Sequence, residues 1–163
     1  MTAADVPPPT ASIATIGHGL QPIEAFIGNL LRHQVDVVVD VRSHPTSSRA
    51  PHFDRGALAV ALQDAGITYE FLGDTLGGRP PDHLRTASGL PDYDRMRASA
   101  GTASELDRIA ARAGHERIAL MCSESNPDEC HRSRMLAPAL EERGVVIEHI
   151  LVDGSLKTQM TLL

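Results

Sequence analysis

Tryptophan is absent from this 163-residue chain, and two tyrosines and three phenylalanines are all the aromatic rings it has. That leaves little material for base-stacking platforms of the RRM or OB type. Cysteine is scarcer still, with Cys122 and Cys130 alone, and two thiols exclude the disulfide framework of a small secreted protein. No stretch approaches the roughly 18 consecutive apolar residues of a membrane span. The opening MTAADVPPPTAS has neither the basic nor the apolar region of an export signal, so a cytoplasmic chain without membrane association is expected. A basic surplus is also missing: 15 Lys and Arg face 21 Asp and Glu, a formal net charge of −6. Proteins that hold nucleic acid non-specifically usually carry the opposite balance, so nucleic acid is disfavoured as a partner, although a local patch can oppose the net charge.

What is present is an ordinary globular composition, 42% hydrophobic and 22% charged. A chain of this length should bury about 70% of its unfolded surface and needs neither disulfide nor metal to fold. Residues 1–11, with Pro7-Pro8-Pro9, read as an extended or disordered arm, and residues 12–163 as a single domain. Short β-branched runs then alternate with amphipathic segments. Strands are expected at 12–16, 35–41, 67–72, 117–121 and 145–152. Helices are expected from Pro22, with Ile23, Phe26, Ile27, Leu30 and Leu31 on one face; around Leu58, Val60, Ala61 and Leu62; from the capping-box match Thr102 to Glu105; and within 127–143. Residues 73–101, rich in Gly and Pro, form a long loop with one short helical turn near 93–98. The alternation predicts an α/β fold: an approximately five-stranded, mainly parallel sheet with helices on both faces, a Rossmann-like three-layer sandwich.

In such sheets ligands bind beyond the carboxyl ends of the strands, near a switch in strand order. The polar clusters fall there: His18 after the first strand, Asp40, Arg42, Ser43 and His44 after the second, Gly77 and Gly78 beyond the third, and Cys122, Ser123 and Glu124 after the fourth. Asn126 as N-cap, Pro127 at N1 and Glu129 at N3 would start a helix carrying Cys130 and His131 in its first two turns, where the positive dipole end lowers a thiol pKa. Glu124, Asp128 and Glu129 oppose that shift, whereas Arg132, Arg134 and a protonated His131 favour it. Pro138 interrupts the same helix.

The segments Thr15-Ile16-Gly17-His18-Gly19, Val39-Asp40-Val41-Arg42-Ser43 with Pro45, Leu76-Gly77-Gly78, and Leu120-Met121-Cys122-Ser123-Glu124 with Pro127 and Cys130-His131-Arg132 together resemble the domain of unknown function 488 family. The resemblance runs in order from about residue 12 to 150. It implies a small bacterial α/β domain whose motifs share one site, and no particular reaction or cofactor.

Three chemistries suit these residues. A cysteine-dependent enzyme would use Cys122 or Cys130 as nucleophile and His18 or His131 as base, with Asp40 and Glu124 assisting. Arg42, Ser43, Gly77, Gly78 and Arg132 would then bind a small anionic or nucleotide-like substrate. A metal site from the cysteines, His131 and His18 is disfavoured, because seven residues separate the thiols and adjacent helical residues point about 100° apart. The third is a non-catalytic ligand or nucleic-acid binding domain, in which Arg42, Arg49 and Arg55, with the hydroxyls of residues 43 and 46–48, cradle phosphate. There is no Walker motif, and Gly17-His18-Gly19 lacks the third glycine of a dinucleotide fingerprint. Gly77 and Gly78 are expected in a turn with positive φ, with close backbone approach to an anion as the alternative. His33, His83, His115 and His149 are expected to face solvent or to be satisfied, and Tyr93 and Arg97 fall in the long loop.

Overall fold

The computed structural model describes residues 11–159, so the Pro-rich arm expected over 1–11 lies outside the described residues except for Ala11. The strands are β1 (Ser12–Gly17), β2 (Val37–Asp40), β3 (Thr68–Phe71), β4 (Ile118–Cys122), β5 (Val146–Ile150) and β6 (Leu156–Thr158). They form one sheet in the order β3-β2-β4-β1-β5-β6, parallel except for β6, which pairs antiparallel with β5. The expected mainly parallel α/β sheet is thus present with one strand more. Leu156–Thr158 is three residues long and exposed throughout, so it shows no hydrophobic alternation by which a strand is recognised.

The helices are α1 (Ile23–Arg32), α2 (Arg55–Asp64), α3 (Gly73–Leu76), α4 (Tyr93–Ala98), α5 (Ala100–Arg112) and α6 (Ala137–Glu141). Each central strand is apolar on both faces and divides two cores. Ala14, Ile16, Val38, Ala119 and Met121 meet Phe26 and Leu30 of α1 and Leu58 and Leu62 of α2. Ile13, Val37, Val39, Ile118 and Leu120 meet Leu106 and Ile109 of α5 and Leu140 of α6 on the other side. Val60, two residues off the Leu58–Leu62 stripe, is 60% exposed.

Three boundaries differ from the sequence reading for identifiable reasons. Helix α5 begins at Ala100, two residues before the capping-box match, and the Thr102 hydroxyl donates to the Thr75 carbonyl at 2.6 Å instead of capping. A tertiary partner thus claims the side chain that local pattern assigns to the cap. The long 73–101 connection is not structureless, since it holds α3, a 3₁₀ turn at Asp82–Leu84 and α4. The helix expected to start at Asn126 is broken in two. Pro127–Glu129 makes one 3₁₀ turn, and the chain re-enters a helix only with the π-helical turn Arg132–Leu136 that runs into α6. Pro138 therefore stands just after the π-helical turn, where the i→i+5 bonding pattern accommodates a residue without an N–H.

Candidate functional site

Strand order decides which loops meet. β4 lies between β2 and β1, and its connection packs on one face of the sheet while the helices after β1 and β2 pack on the other. A crevice opens where connections diverge in this way. The ladders run past the strand ends and keep the three exits in step: His18 N–H donates to the Cys122 carbonyl, Gly19 N–H to that of Ser123, and Val41 N–H to that of Met121, each at 3.0 Å. Gly17 makes the approach possible, since a Cβ there would stand 1.7 Å from the Glu124 carbonyl oxygen.

On the β2 side, Asp40 and Arg42 form a buried bidentate pair. Arg42 donates from Nε to Oδ1 at 2.9 Å and from Nη2 to Oδ2 at 2.8 Å, and the Tyr69 hydroxyl donates to Oδ2 as well. Burial and the Asp40 carboxylate push the Tyr69 phenol well above its usual range, so it remains a donor. His18 sits behind Arg42, stacked on Phe53 with ring centroids 4.5 Å apart. Its Nδ1 lies 2.8 Å from the Gly19 carbonyl, which can only accept, so Nδ1 carries the proton and Nε2 receives the Arg42 Nη1 donor at 3.3 Å. Burial, with Arg42 adjacent, holds the His18 pKa below its ordinary value, and the ring is neutral near pH 7.

The β4 side carries the thiols. Asn126 accepts from Asp128 N–H at 3.0 Å and shapes the 3₁₀ turn, after which Cys130 is extended (φ −128°, ψ 149°) and not helical. The Cys130 Sγ lies 3.5 Å from His131 Nδ1, while His131 Nε2 donates to the Leu76 carbonyl at 2.9 Å. That carbonyl fixes the imidazole with Nδ1 facing the sulfur. Gly78 packs flat against the ring, since a Cβ there would be 2.9 Å from His131 Cγ. Neither Gly77 nor Gly78 has positive φ, and Gly77 abuts the Ser43 hydroxyl; close approach is what these glycines supply, not the turn expected of them. The Cys130 thiol is held well below the ordinary range, down to about 4, by hydrogen bonding from Cys122 and by His131, against the effect of burial. Cys122 is pushed the other way, by burial and by its interaction with Cys130; its thiol donates to the Glu124 carbonyl at 3.6 Å.

A cavity of about 560 Å³ opens between these segments. Arg42, Ser43, His44, Thr46 and Ser48 line it from the β2 exit, Gly78, Arg79 and Tyr93 from the long connection, and Cys122, Ser123, Glu124, Glu129, Cys130 and His131 from the β4 exit. Of the residues singled out in the sequence, Asp40, His18, Gly77 and Arg132 do not line it. Asp40 and His18 hold Arg42, Gly77 seats Ser43, and Arg132 turns inward. Arg49 is exposed, and Arg55 stacks on Phe71 at 4.3 Å, away from the cavity walls. Among the described residues no three His, Cys, Asp or Glu side chains form a metal-holding group.

The inward path of Arg132 is the feature that spacing did not reveal. Its guanidinium is fully buried, with Nη1 donating to Thr15 Oγ1 at 3.1 Å and Nη2 to the carbonyls of Glu124 and Ser125 at 3.0 Å each, so it clamps the loop between the cysteines onto β1. Thr15 in turn bonds His149 Nδ1, and His149 Nε2 meets Gln159 Oε1 at 2.6 Å. His149, expected to face solvent or to be satisfied, is the second of these: a buried member of this chain of bonds with both ring nitrogens partnered. The one hint in the sequence is Thr15, a polar residue inside an otherwise apolar strand.

A family model described as Domain of unknown function DUF488 matches residues 22–140, which hold every cavity-lining residue named above. No curated protein and no solved structure matches the chain.

Proposed function

We propose, taking as premise that the chain belongs to the DUF488 family, that it is an enzyme whose nucleophile is the Cys130 thiolate and whose substrate is a small anionic molecule seated against residues 42–48. The observation that carries this reading is the asymmetry of the two thiols: Cys130 faces an imidazole nitrogen at 3.5 Å, and a main-chain carbonyl orients that imidazole from the far side. A thiol, a base and a group that orients the base is the arrangement by which an otherwise weak nucleophile is activated. In the resting pair the Cys130 sulfur is anionic and His131 Nδ1 faces it. Attack of the sulfur on an electrophilic centre would develop charge on a leaving group that departs beside the same thiol pair and imidazole.

The substrate side is supported by charge placement. The 42–48 segment and Arg79 bring two guanidinium groups and the hydroxyls of Ser43, Thr46 and Ser48 to the cavity, whereas Glu124 and Glu129 come from the cysteine segment. An anionic group is accordingly received at the β2 exit. Arg42 is already locked by Asp40 and His18, so it presents its remaining N–H groups without further ordering cost.

Iodoacetamide labelling, followed residue by residue by mass spectrometry from pH 5 to pH 9, tests the assignment. Cys130 should label at a rate nearly flat over pH 5.5–8, and Cys122 more than tenfold slower throughout the folded protein. A Cys130 rate that climbs about tenfold per pH unit up to the ordinary thiol value of about 8.5 would sink the nucleophile and leave a binding cavity.

A further inference from the structure

The two cysteines are one unit rather than a nucleophile with a bystander. Both line the same cavity, and their interaction pushes Cys122 up and Cys130 down, so that the proton stays on Cys122 and the charge on Cys130. A second thiol in the same cavity, protonated where the first is anionic, is the pairing that thiol–disulfide exchange uses. The Arg132 guanidinium beside them supplies the second observation. It is fully buried and meets only a hydroxyl and two carbonyls; its Nε has no hydrogen-bond partner, and no carboxylate pairs with it among the described residues. A buried cation without an anion is costly, and its charge favours a thiolate on Cys122.

Resting on the assignment of Cys130 as nucleophile, we propose that Cys122 is its resolving thiol and that the site reduces small disulfides by thiol–disulfide exchange. The Cys130 thiolate attacks one sulfur of a substrate disulfide RS–SR′, the S–S bond breaks, a Cys130–SR mixed disulfide forms and R′S⁻ leaves. Cys130 has then lost its charge, and with it the group that kept the Cys122 proton in place. Arg132 remains, now favouring a thiolate on Cys122, whose proton passes to R′S⁻. The Cys122 thiolate attacks the Cys130 sulfur, the Cys122–Cys130 bond forms and RS⁻ departs to take a proton from solvent. The substrate gains two electrons and becomes two thiols, while the protein dithiol becomes a disulfide; an external dithiol reductant restores it. One negative charge stays near Arg132 until the internal disulfide closes. The cavity, about 560 Å³, has the size of a small-molecule site.

The test uses 2,2′-dithiodipyridine at pH 5, read as released pyridine-2-thione per chain, with peptide mapping of the product. Wild-type protein should release two equivalents and carry a Cys122–Cys130 disulfide with no retained label. Cys122→Ser should release one and keep a stable mixed disulfide on Cys130, and Cys130→Ser should react at least tenfold more slowly. Wild-type protein that stops at one equivalent with the label on Cys130 overturns the resolving role while leaving the nucleophile standing. Cys130→Ser reacting as fast as wild type removes the nucleophile itself. Because the deciding stoichiometry is read on wild-type protein, a poorly folded variant would not obscure it.

Discussion

At the scale of single residues, the site depends on charges that have left water. Asp40 is fully buried and holds Arg42 by two side-chain bonds and Tyr69 by a third. Removing one partner of such a pair strands the other, a loss of about 3–5 kcal/mol. Asp40→Asn should cost about that much, read as a lower urea midpoint at unchanged m-value. Gly78 makes a different case. An added methyl there must displace the His131 ring, so Gly78→Ala should leave most of the stability but make Cys130 labelling more pH-dependent than in the wild type. Losing neither would show that ring position is irrelevant to the thiol. The sequence brings His18, Arg42, Cys122, Cys130 and His131 to notice because reactive side chains are few in a composition like this one. It assigns Gly77 and Gly78 the wrong reason for being glycine, since the atoms they must avoid belong to Ser43 and His131, distant in the chain and near only after folding. Arg132 is misjudged likewise: an arginine after a cysteine motif reads as a hand for the substrate, and only the burial of Thr15 and of two loop carbonyls shows where it points.

At the scale of elements, strand and helix identity follows from period and punctuation, whereas boundaries follow from partners. β1, β2 and β4 are legible because they are apolar on both faces. β6 is not, because an edge strand of three exposed residues is held by its neighbour's backbone rather than by its own pattern. The segment between the cysteines shows how much a boundary matters. Starting the helix at Arg132 instead of Pro127 takes Cys130 off the helix and leaves it extended, with its sulfur 3.5 Å from His131 Nδ1 and on the wall of the cavity that Cys122 also lines. The Asn126 cap on the intervening 3₁₀ turn helps fix that geometry. Asn126→Ala should cost about 1 kcal/mol in thermal or chemical unfolding and narrow the difference in labelling rate between the two thiols. Equal labelling ratios in the variant and the wild type would show that the turn does not set the sulfur positions.

At the scale of the whole molecule, buried titrating groups tie stability to pH. His18 and His149 both have pKa values held below the ordinary 6.5 by burial, so the unfolded chain binds protons there that the folded one refuses. Their contribution is complete above about pH 6.5 and is lost as pH falls through the lower folded values. Cys130, also held low, acts in the same direction over this range, while the raised Cys122 matters only above the ordinary thiol pKa. Thermal melts should therefore show a falling midpoint from pH 7 to pH 5. A midpoint flat or rising over that range would mean that the imidazoles and the Cys130 thiol are not held below their ordinary values in the native state.

The strand order also sets a sequence of events in time. β1 and β2 are synthesised first but nowhere pair with each other, because the place between them belongs to Ile118–Cys122, some eighty residues further along. A growing chain can complete β2 against β3 locally, but the centre of the sheet must wait for that late insertion, and pairings this distant in the chain form slowly. The inserted strand is the one that ends in Cys122, so the first thiol reaches its place in the same step that closes the middle of the sheet, and the second follows within the next eight residues.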